Sequence, residues 1–262
     1  MKKKLSVKKA FSRNAHKYDE YALVQKQLGK ALSEKVEPII KALSTSPKIL
    51  DIGSGTGNFT KEIHSRIKKS GKIPKATCLD ISENMLKICK KQIPSARIII
   101  GDMDSISSLT KETYELIISN ATLQWTENLE SLIKQIYGLL ATKGFLCFSI
   151  FTQGTLCSLA NAIYSVLQIE TPVMEFVSYN SVANYLVPYF HIKNSGRWSI
   201  ELEFNTLFDL LKHIKNTGTY SHQTLGRQLT KRDIQRIESA ILKENKKITA
   251  VYKAGLFICQ KQ

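Results

Sequence analysis

A short glycine-rich turn between an apolar run and a helical pattern is the feature that most limits how this chain can fold. The stretch KILDIGSGTGNFTKEI, residues 48–63, places Gly53, Gly55 and Gly57 directly after the apolar run. Glycine permits positive φ and lets the backbone approach a ligand, and the N-terminus of the following helix offers free N–H groups. The stretch therefore predicts a strand, a ligand-binding turn and a helix, in that order.

Apolar runs alternate with helical patterns as far as Phe151. The runs KILDIG, ATCLDI, ARIIIGD, YELIISN and GFLCFSIF are almost continuously apolar, which is typical of parallel strands covered on both faces. Helices are predicted before and between them, over Ser6–Leu43, Thr56–Lys69, Asn84–Lys91 and Leu129–Leu140. This βαβ order predicts an α/β fold, a Rossmann-like doubly wound sheet that is mostly parallel.

The pattern changes after Phe151, where helical segments predominate. Helices are predicted near Leu156–Gln168, Ser181–Val187 and Leu207–Lys215, with a strand around Trp198–Phe204. Thr230 and Asp233 have the spacing of a helix N-cap and its third residue at the start of TKRDIQRIESAIL. We expect a single domain over residues 1–262, with a helical flap (1–43), a cofactor-binding core (48–151), a helical lid or insert (about 152–245) and an antiparallel last strand (250–260).

Composition narrows the class of protein. Lys and Arg number 38 against 22 Asp and Glu, so the net charge of +16 suggests an acidic partner. The absence of an arginine-rich arm disfavours nucleic acid. Five scattered cysteines without a CxxC pair indicate reduced thiols in a cytoplasmic protein rather than disulfides or a metal site. No apolar run is long enough to span a membrane.

The spacing of the glycines points to one cofactor class. A dinucleotide fingerprint would place its third glycine where this chain has Asn58, and the Lys-Ser/Thr pair of a phosphate loop is missing. The GxGxG spacing after the strand-terminal Asp51 instead matches sites for S-adenosylmethionine.

Later strand ends supply further candidate contacts with this cofactor. Asp80 is placed to accept the ribose hydroxyls, and Asp102 to accept the adenine amino group. Because ligands of open α/β sheets lie at the carboxyl ends of the strands, these positions should converge. The predicted cofactor-binding residues are Tyr18, Asp51, Gly53, Gly55, Gly57, Asp80, Ile81, Met85, Asp102, Met103, Ser119 and Asn120.

Several segments of the chain together carry a family resemblance. They are AFSRNAHKYDEYALVQKQ, LDIGSGTG, LDISENML, GDMDS, SNATLQW, FSIFTQGTL and LKHIKNTGTYSHQTLGRQLT. The chain resembles the class I S-adenosylmethionine-dependent methyltransferases and, more closely, the malonyl-acyl-carrier-protein O-methyltransferases of biotin synthesis. The resemblance implies methylation of the free carboxyl of malonyl-acyl carrier protein, with S-adenosylhomocysteine as the second product, at the start of pimelate synthesis. It also implies that Tyr18 closes over the cofactor.

The implied chemistry fits the residue pattern. A carboxylate is already ionised at neutral pH, so its methylation needs positioning and exclusion of water rather than a general base. No NPPY-type motif follows the fourth strand to orient an amino nitrogen. The predicted catalytic residues are Tyr18, Asn120, Trp125 and Arg227, with Arg227 or Arg197 as the cation for the substrate oxygens.

Three other functions remain open at this point. The chain could methylate a free small carboxylic acid, act on nucleic acid as its charge allows, or bind the cofactor without catalysis. The substrate carrier is the expected partner, and no stable partner is evident from the sequence.

Overall fold

A seven-stranded sheet forms the centre of the computed structural model, which describes residues 8–9, 11–169, 176–217 and 229–262. The strand order is β3-β2-β1-β4-β5-β7-β6. Strands β1 to β5 pair in parallel, and β7 pairs antiparallel with both β5 and β6. The predicted antiparallel last strand is therefore confirmed. The strands are β1 (Lys48–Ile52), β2 (Lys75–Asp80), β3 (Arg97–Ile100), β4 (Tyr114–Ser119), β5 (Leu140–Phe151), β6 (Phe190–Phe204) and β7 (Ile248–Lys261).

Helices connect the strands, as an α/β fold requires. They are α1 (Tyr18–Tyr21), α2 (Leu23–Ile40), α3 (Asn58–Lys69), α4 (Glu83–Gln92), α5 (Ile106–Leu109), α6 (Leu129–Leu139), α7 (Cys157–Leu167), α8 (Tyr179–Leu186), α9 (Leu207–Asn216) and α10 (Lys231–Asn245). No helix in the described ranges is long and apolar enough to cross a bilayer.

Both faces of the sheet are buried along the central strands β1, β4 and β5, which explains their continuous apolar runs. Ile49 packs in one cluster with residues of α2, α3, α7, α9 and α10, whereas its neighbour Leu50 packs in another with α5, α6 and α8. Successive strand residues point to opposite faces, so both positions must be apolar. Tyr114, Phe148 and Phe257 are the largest fully buried side chains of the second cluster.

The predicted helix over Ser6–Leu43 is interrupted in the structure. Residues 8–9 and 11–14 are helical, a turn occupies 15–17, and Ala22 leaves the helical region with ψ 38° between α1 and α2. Helix α2 buries Leu28, Leu32 and Val36 completely. The breaks separate this core helix from residues 11–21, of which Phe11 and Tyr18 lie over the carboxyl end of the sheet.

Two strands begin earlier than their sequence predicts. Strand β5 starts at Leu140, the predicted last residue of the preceding helix, and bulges before Phe145, with Lys143 at φ 62°. Strand β6 starts at Phe190 rather than Trp198. The polar run HIKNSGR has no strand signature, but as an edge strand it gains its hydrogen bonds from β7 and exposes its side chains.

Candidate functional site

A cavity of about 800 Å³ lies at the carboxyl ends of β1 to β4. Its walls come from the glycine turn, the ends of these strands, helix α2 and, before that helix, Phe11, Tyr18 and Ala22. Most of the predicted site residues converge there, as expected for an open α/β sheet. Those that line the cavity are Tyr18, Asp51, Gly53, Gly55, Asp80, Ile81, Met85, Asp102, Met103, Asn120 and Trp125.

The glycine turn has the backbone conformation predicted for it. Gly53 has φ 72°, and a Cβ there would lie 2.0 Å from Cγ2 of Thr122. Gly55 has φ 53°, but a Cβ there would meet no protein atom within 4 Å, because it faces open space. Gly57 is the N-cap of α3 and packs against Cys89 behind the cavity. Gly53 and Gly57 thus pack closely against the protein, whereas the backbone of Gly55 is open to the cavity.

Asp80 fixes the glycine turn against the end of β2. Its carboxylate accepts hydrogen bonds from the backbone N–H groups of Gly55 (2.9 Å) and Ser82 (2.8 Å). Burial raises the pKa of Asp80, and the bonds from Ser82 and Gly55 oppose that rise. Ser82 also caps α4 by accepting from the N–H of Met85. The acid and the predicted adenine contact Met85 are therefore held by one short loop.

Asp51 is 1% exposed and carries an unpartnered oxygen. Its Oδ2 accepts a 2.5 Å hydrogen bond from Thr60, whereas its Oδ1 has no partner. Burial raises the pKa of Asp51 to about 7, with a smaller rise from Asp80 and an opposing effect of the Thr60 bond. Buried oxygens without partners are costly, and this one lies in the wall of a cavity.

Other unpartnered polar atoms lie in the same wall. Gln25 Oε1, Ser54 Oγ and Gln124 Oε1 are buried without a hydrogen-bond partner, and all three residues line the cavity. Together with Asp51 they present acceptors to whatever occupies it. S-adenosylmethionine carries an ammonium group, ribose hydroxyls and a positive sulfonium, so the donor and acceptor chemistry of the wall fits this cofactor.

The ends of β3 and β4 hold the remaining predicted cofactor residues. Asp102 caps the short 3₁₀ helix Met103–Ser105 by accepting from the N–H of Asp104 (3.0 Å). Asn120 donates to the carbonyl of Gln25 (2.9 Å) and accepts from the hydroxyl of Ser149 (2.7 Å). It thereby connects α2 to the carboxyl ends of β4 and β5 inside the cavity.

Ser119 has a different position from its neighbour. Its hydroxyl donates a 2.7 Å hydrogen bond to the carbonyl of Ile52 and is fully buried between β4 and β1. It does not line the cavity. Its visible role is to join two strands beneath the site.

Aromatic side chains cover part of the cavity. The ring centroid of Phe11 lies 6.0 Å from that of Tyr18 and 5.8 Å from that of Trp125, both edge to face. Burial, followed by the charges of Asp80 and Asp19, raises the pKa of Tyr18, so its phenol keeps its proton at neutral pH. Sequence reasoning missed Phe11, although it belongs to the FSRNAHKY segment that carried the family resemblance.

The predicted substrate cation is not found among the described lining residues. Arg227 lies outside the described residues. Arg197 lies off the cavity, where it donates to Asn180 and stacks 4.2 Å over the ring of Tyr179. Within the described part of the chain, the cations that line the cavity are Lys26, Lys30 and Arg66, and Arg66 is paired with Glu37 and Glu62.

Comparisons with known proteins agree with the fold and with the predicted methyltransferase class. A family model described as a methyltransferase domain matches residues 50–148, the segment from β1 to β5. The crystal structure of protein BH2331 from Bacillus halodurans C-125, named as a candidate methyltransferase, has a TM-score of 0.60 at 13% identity and covers 87% of this chain and 97% of that chain. At this identity the likeness establishes the fold.

Sequence relatives reach further along the chain. Malonyl-[acyl-carrier protein] O-methyltransferase 2 of Ilyobacter polytropus is 29% identical, over 90% of this chain and 88% of that protein. Malonyl-[acyl-carrier protein] O-methyltransferase of Calditerrivibrio nitroreducens is 31% identical, over 87% of this chain and 84% of that protein. The chain thus belongs to the malonyl-[acyl-carrier protein] O-methyltransferase family, within the S-adenosylmethionine-dependent methyltransferases.

Proposed function

We propose that the protein transfers a methyl group from S-adenosylmethionine to the free carboxyl of malonyl-acyl carrier protein. The product would be a methyl ester that enters pimelate synthesis for biotin, and the reaction would take place in the cytoplasm. The observation that carries this proposal is the match to relatives of that name over more than four-fifths of their length. The shape and polarity of the cavity support it.

The cofactor would be held by residues at the carboxyl ends of β1 to β4. We assign the ribose to Asp80, the adenine to the region of Ile81, Met85 and Asp102, and the ammonium to the unpartnered acceptors near Asp51. S-adenosylmethionine supplies an electrophilic methyl group on its sulfonium. The open face of Gly55 leaves room for the cofactor against the backbone.

The substrate carboxylate would reach the cavity from the side of Trp125 and Tyr18. With a reference pKa near 4, it is ionised at neutral pH and is itself the nucleophile. The protein then has to hold it in line, about 3 to 3.5 Å from the methyl carbon, and to exclude water. Phe11, Tyr18 and Trp125 supply the apolar cover, and Asn120 fixes the floor between α2 and β4.

Transfer of labelled methyl tests this function. Malonyl-acyl carrier protein, malonyl-coenzyme A, free malonate and bulk RNA are offered in parallel. We expect base-labile label on the carrier protein, lost in Asp80→Ala and retained in the exposed-surface control Glu34→Ala. Label that appears only on free malonate or only on RNA would replace the substrate assignment with that alternative.

A further inference from the structure

Residues 11–21, named the cover segment from here on, are held over the cavity by a small set of polar contacts and by two aromatic side chains. Helix α1 within it has no buried residue, and Ala15 is its buried apolar side chain. Phe11 and Tyr18 contribute the aromatic cover described above. A segment with so little buried apolar surface opens at low free-energy cost, so its few polar contacts decide how long it stays closed.

Asp19 makes the contacts that join the cover segment to the glycine turn. Its Oδ1 accepts from the hydroxyl of Thr56 (2.9 Å) and from the amide of Asn58 (2.7 Å). These two donors flank Gly57, the N-cap of α3. Hydrogen bonds to a carboxylate are stronger than those between neutral groups.

A third side chain holds Thr56 and Asn58, the two donors to Asp19, in place. The amide of Gln92, at the end of α4, donates to the carbonyl of Thr56 (3.1 Å) and to Oδ1 of Asn58 (3.0 Å). Helix α3 has no side-chain N-cap and no acidic residue in its first turn. The negative charge of Asp19 lies near that helix N-terminus, where it is favourable.

The other polar contacts of the cover segment lead elsewhere. Ser12 pairs with Ser82 (2.9 Å), and its backbone carbonyl accepts from Asn84 (3.1 Å), both at the start of α4. Asn14 donates to the carbonyl of Lys215 in α9, and Lys26 of α2 donates to the backbone carbonyl of Asp19 (2.6 Å). Asp19 therefore couples the closed cover to the geometry of the turn that faces the cofactor.

We propose that Asp19 is a positioning residue that latches the cover segment to the glycine turn, so that cofactor binding and closure of Tyr18 and Phe11 stabilise each other. The proposal rests on the proposed function only in taking S-adenosylmethionine as the cavity's ligand. Coupling of this kind is reciprocal. A ligand that orders the glycine turn must slow the opening of the cover segment. Loss of the Asp19 contacts must lower the affinity for that ligand.

Binding and proteolysis measure the latch without any methyl acceptor. Calorimetry gives the Kd of S-adenosylhomocysteine, and mass spectrometry follows trypsin cleavage after the exposed Arg13 and Lys17. In the unsubstituted protein, S-adenosylhomocysteine should slow cleavage at both sites. In Asp19→Ala we expect a Kd about tenfold higher and cleavage that the ligand no longer slows. Glu20→Ala, the exposed neighbour, is the matched control and should behave as the unsubstituted protein.

Further variants separate a latch from a general effect on folding. Asp19→Asn keeps an acceptor oxygen without the charge, so its Kd and its protection from trypsin should lie between those of the unsubstituted protein and Asp19→Ala. It also provides a test if Asp19→Ala does not fold. Asn58→Ala should raise the Kd less in the Asp19→Ala background than alone, because the bond to Asp19 is already gone and only the contact with Gln92 is left to lose. A lower denaturation midpoint with unchanged Kd and unchanged ligand protection would overturn the proposal.

The outcomes also separate this inference from the proposed function. If malonyl-acyl carrier protein receives no methyl group while S-adenosylhomocysteine still protects Arg13 and Lys17 in an Asp19-dependent way, the latch stands and the substrate assignment falls. If the carrier protein is methylated but Asp19→Ala binds S-adenosylhomocysteine as tightly as the unsubstituted protein, the latch falls alone.

Discussion

Gly55 and Gly71 form a natural matched pair, since both have positive φ and neither would bring a Cβ within 4 Å of a protein atom. Alanine at either position should cost about 1 kcal/mol of stability through backbone strain. Gly55 lines the cavity, so its added methyl takes space from the cofactor. We expect Gly55→Ala to raise the Kd of S-adenosylhomocysteine at least about tenfold, and Gly71→Ala to leave it unchanged in calorimetry. If Gly55→Ala and Gly71→Ala bound S-adenosylhomocysteine equally tightly, the glycine turn would not be part of the cofactor site.

The buried Asp51 predicts a pH-dependent stability. Its folded-state pKa of about 7 lies above the ordinary value near 4, so the folded state binds the extra proton. This contribution is fully present below about pH 4 and is lost as the pH rises to about 7. Asp51→Asn cannot ionise, so its stability relative to the unsubstituted protein should improve by about 2 to 3 kcal/mol between pH 5 and pH 8. Urea denaturation at the two pH values tests this, and a constant difference would contradict it.

The residues that sequence reasoning missed share one property. Phe11, Asp19, Gln25 and Gln124 become recognisable only through contacts with distant segments or through unpartnered atoms facing a cavity. The glycine turn and the strand-end acids were predictable because local backbone geometry and strand position define them.

At the scale of elements, the N-terminus of α10 illustrates a fully local signal. Thr230 and Asp233 form the predicted capping box, with Thr230 accepting from the Asp233 N–H and Asp233 accepting from the Thr230 N–H (2.9 Å). Thr230→Ala should cost about 1 kcal/mol, measured by chemical denaturation. The Kd of S-adenosylhomocysteine should not change. Ser239→Ala, exposed in the middle of the same helix, is the control and should be nearly neutral or slightly stabilising.

Strand β6 shows the opposite case. Its first half lacks the alternation or apolar content that marks a strand, and it exists because β7 offers a row of backbone partners from Phe190 onward. The broken N-terminal helix is similar, since a helical pattern over 6–43 cannot reveal that Ala22 leaves helical geometry. Pairing and chain reversal are decided by the rest of the fold.

At the scale of the whole molecule, the net charge of +16 predicts salt-dependent recognition of an acidic carrier protein. Lys26 and Lys30 on α2 line the cavity, where a carrier would approach. We expect kcat/KM for malonyl-acyl carrier protein to fall several-fold between about 50 and 300 mM NaCl. Malonyl-pantetheine, which lacks the acidic protein, should change little. The same salt dependence for both substrates would argue against electrostatic docking.

The sequence by itself determined the α/β class, the parallel core strands, the positive-φ glycine turn after β1 and the capping box of α10. Each of these follows from apolar periodicity, glycine conformation or hydrogen bonds a few residues apart. Only the tertiary structure decided that Phe11 covers Trp125, that Asp19 reaches Thr56 and Asn58, and that Asn120 meets Gln25. These contacts join residues tens of positions apart, and no short-range pattern encodes them because they exist only once the sheet has brought its strand ends together.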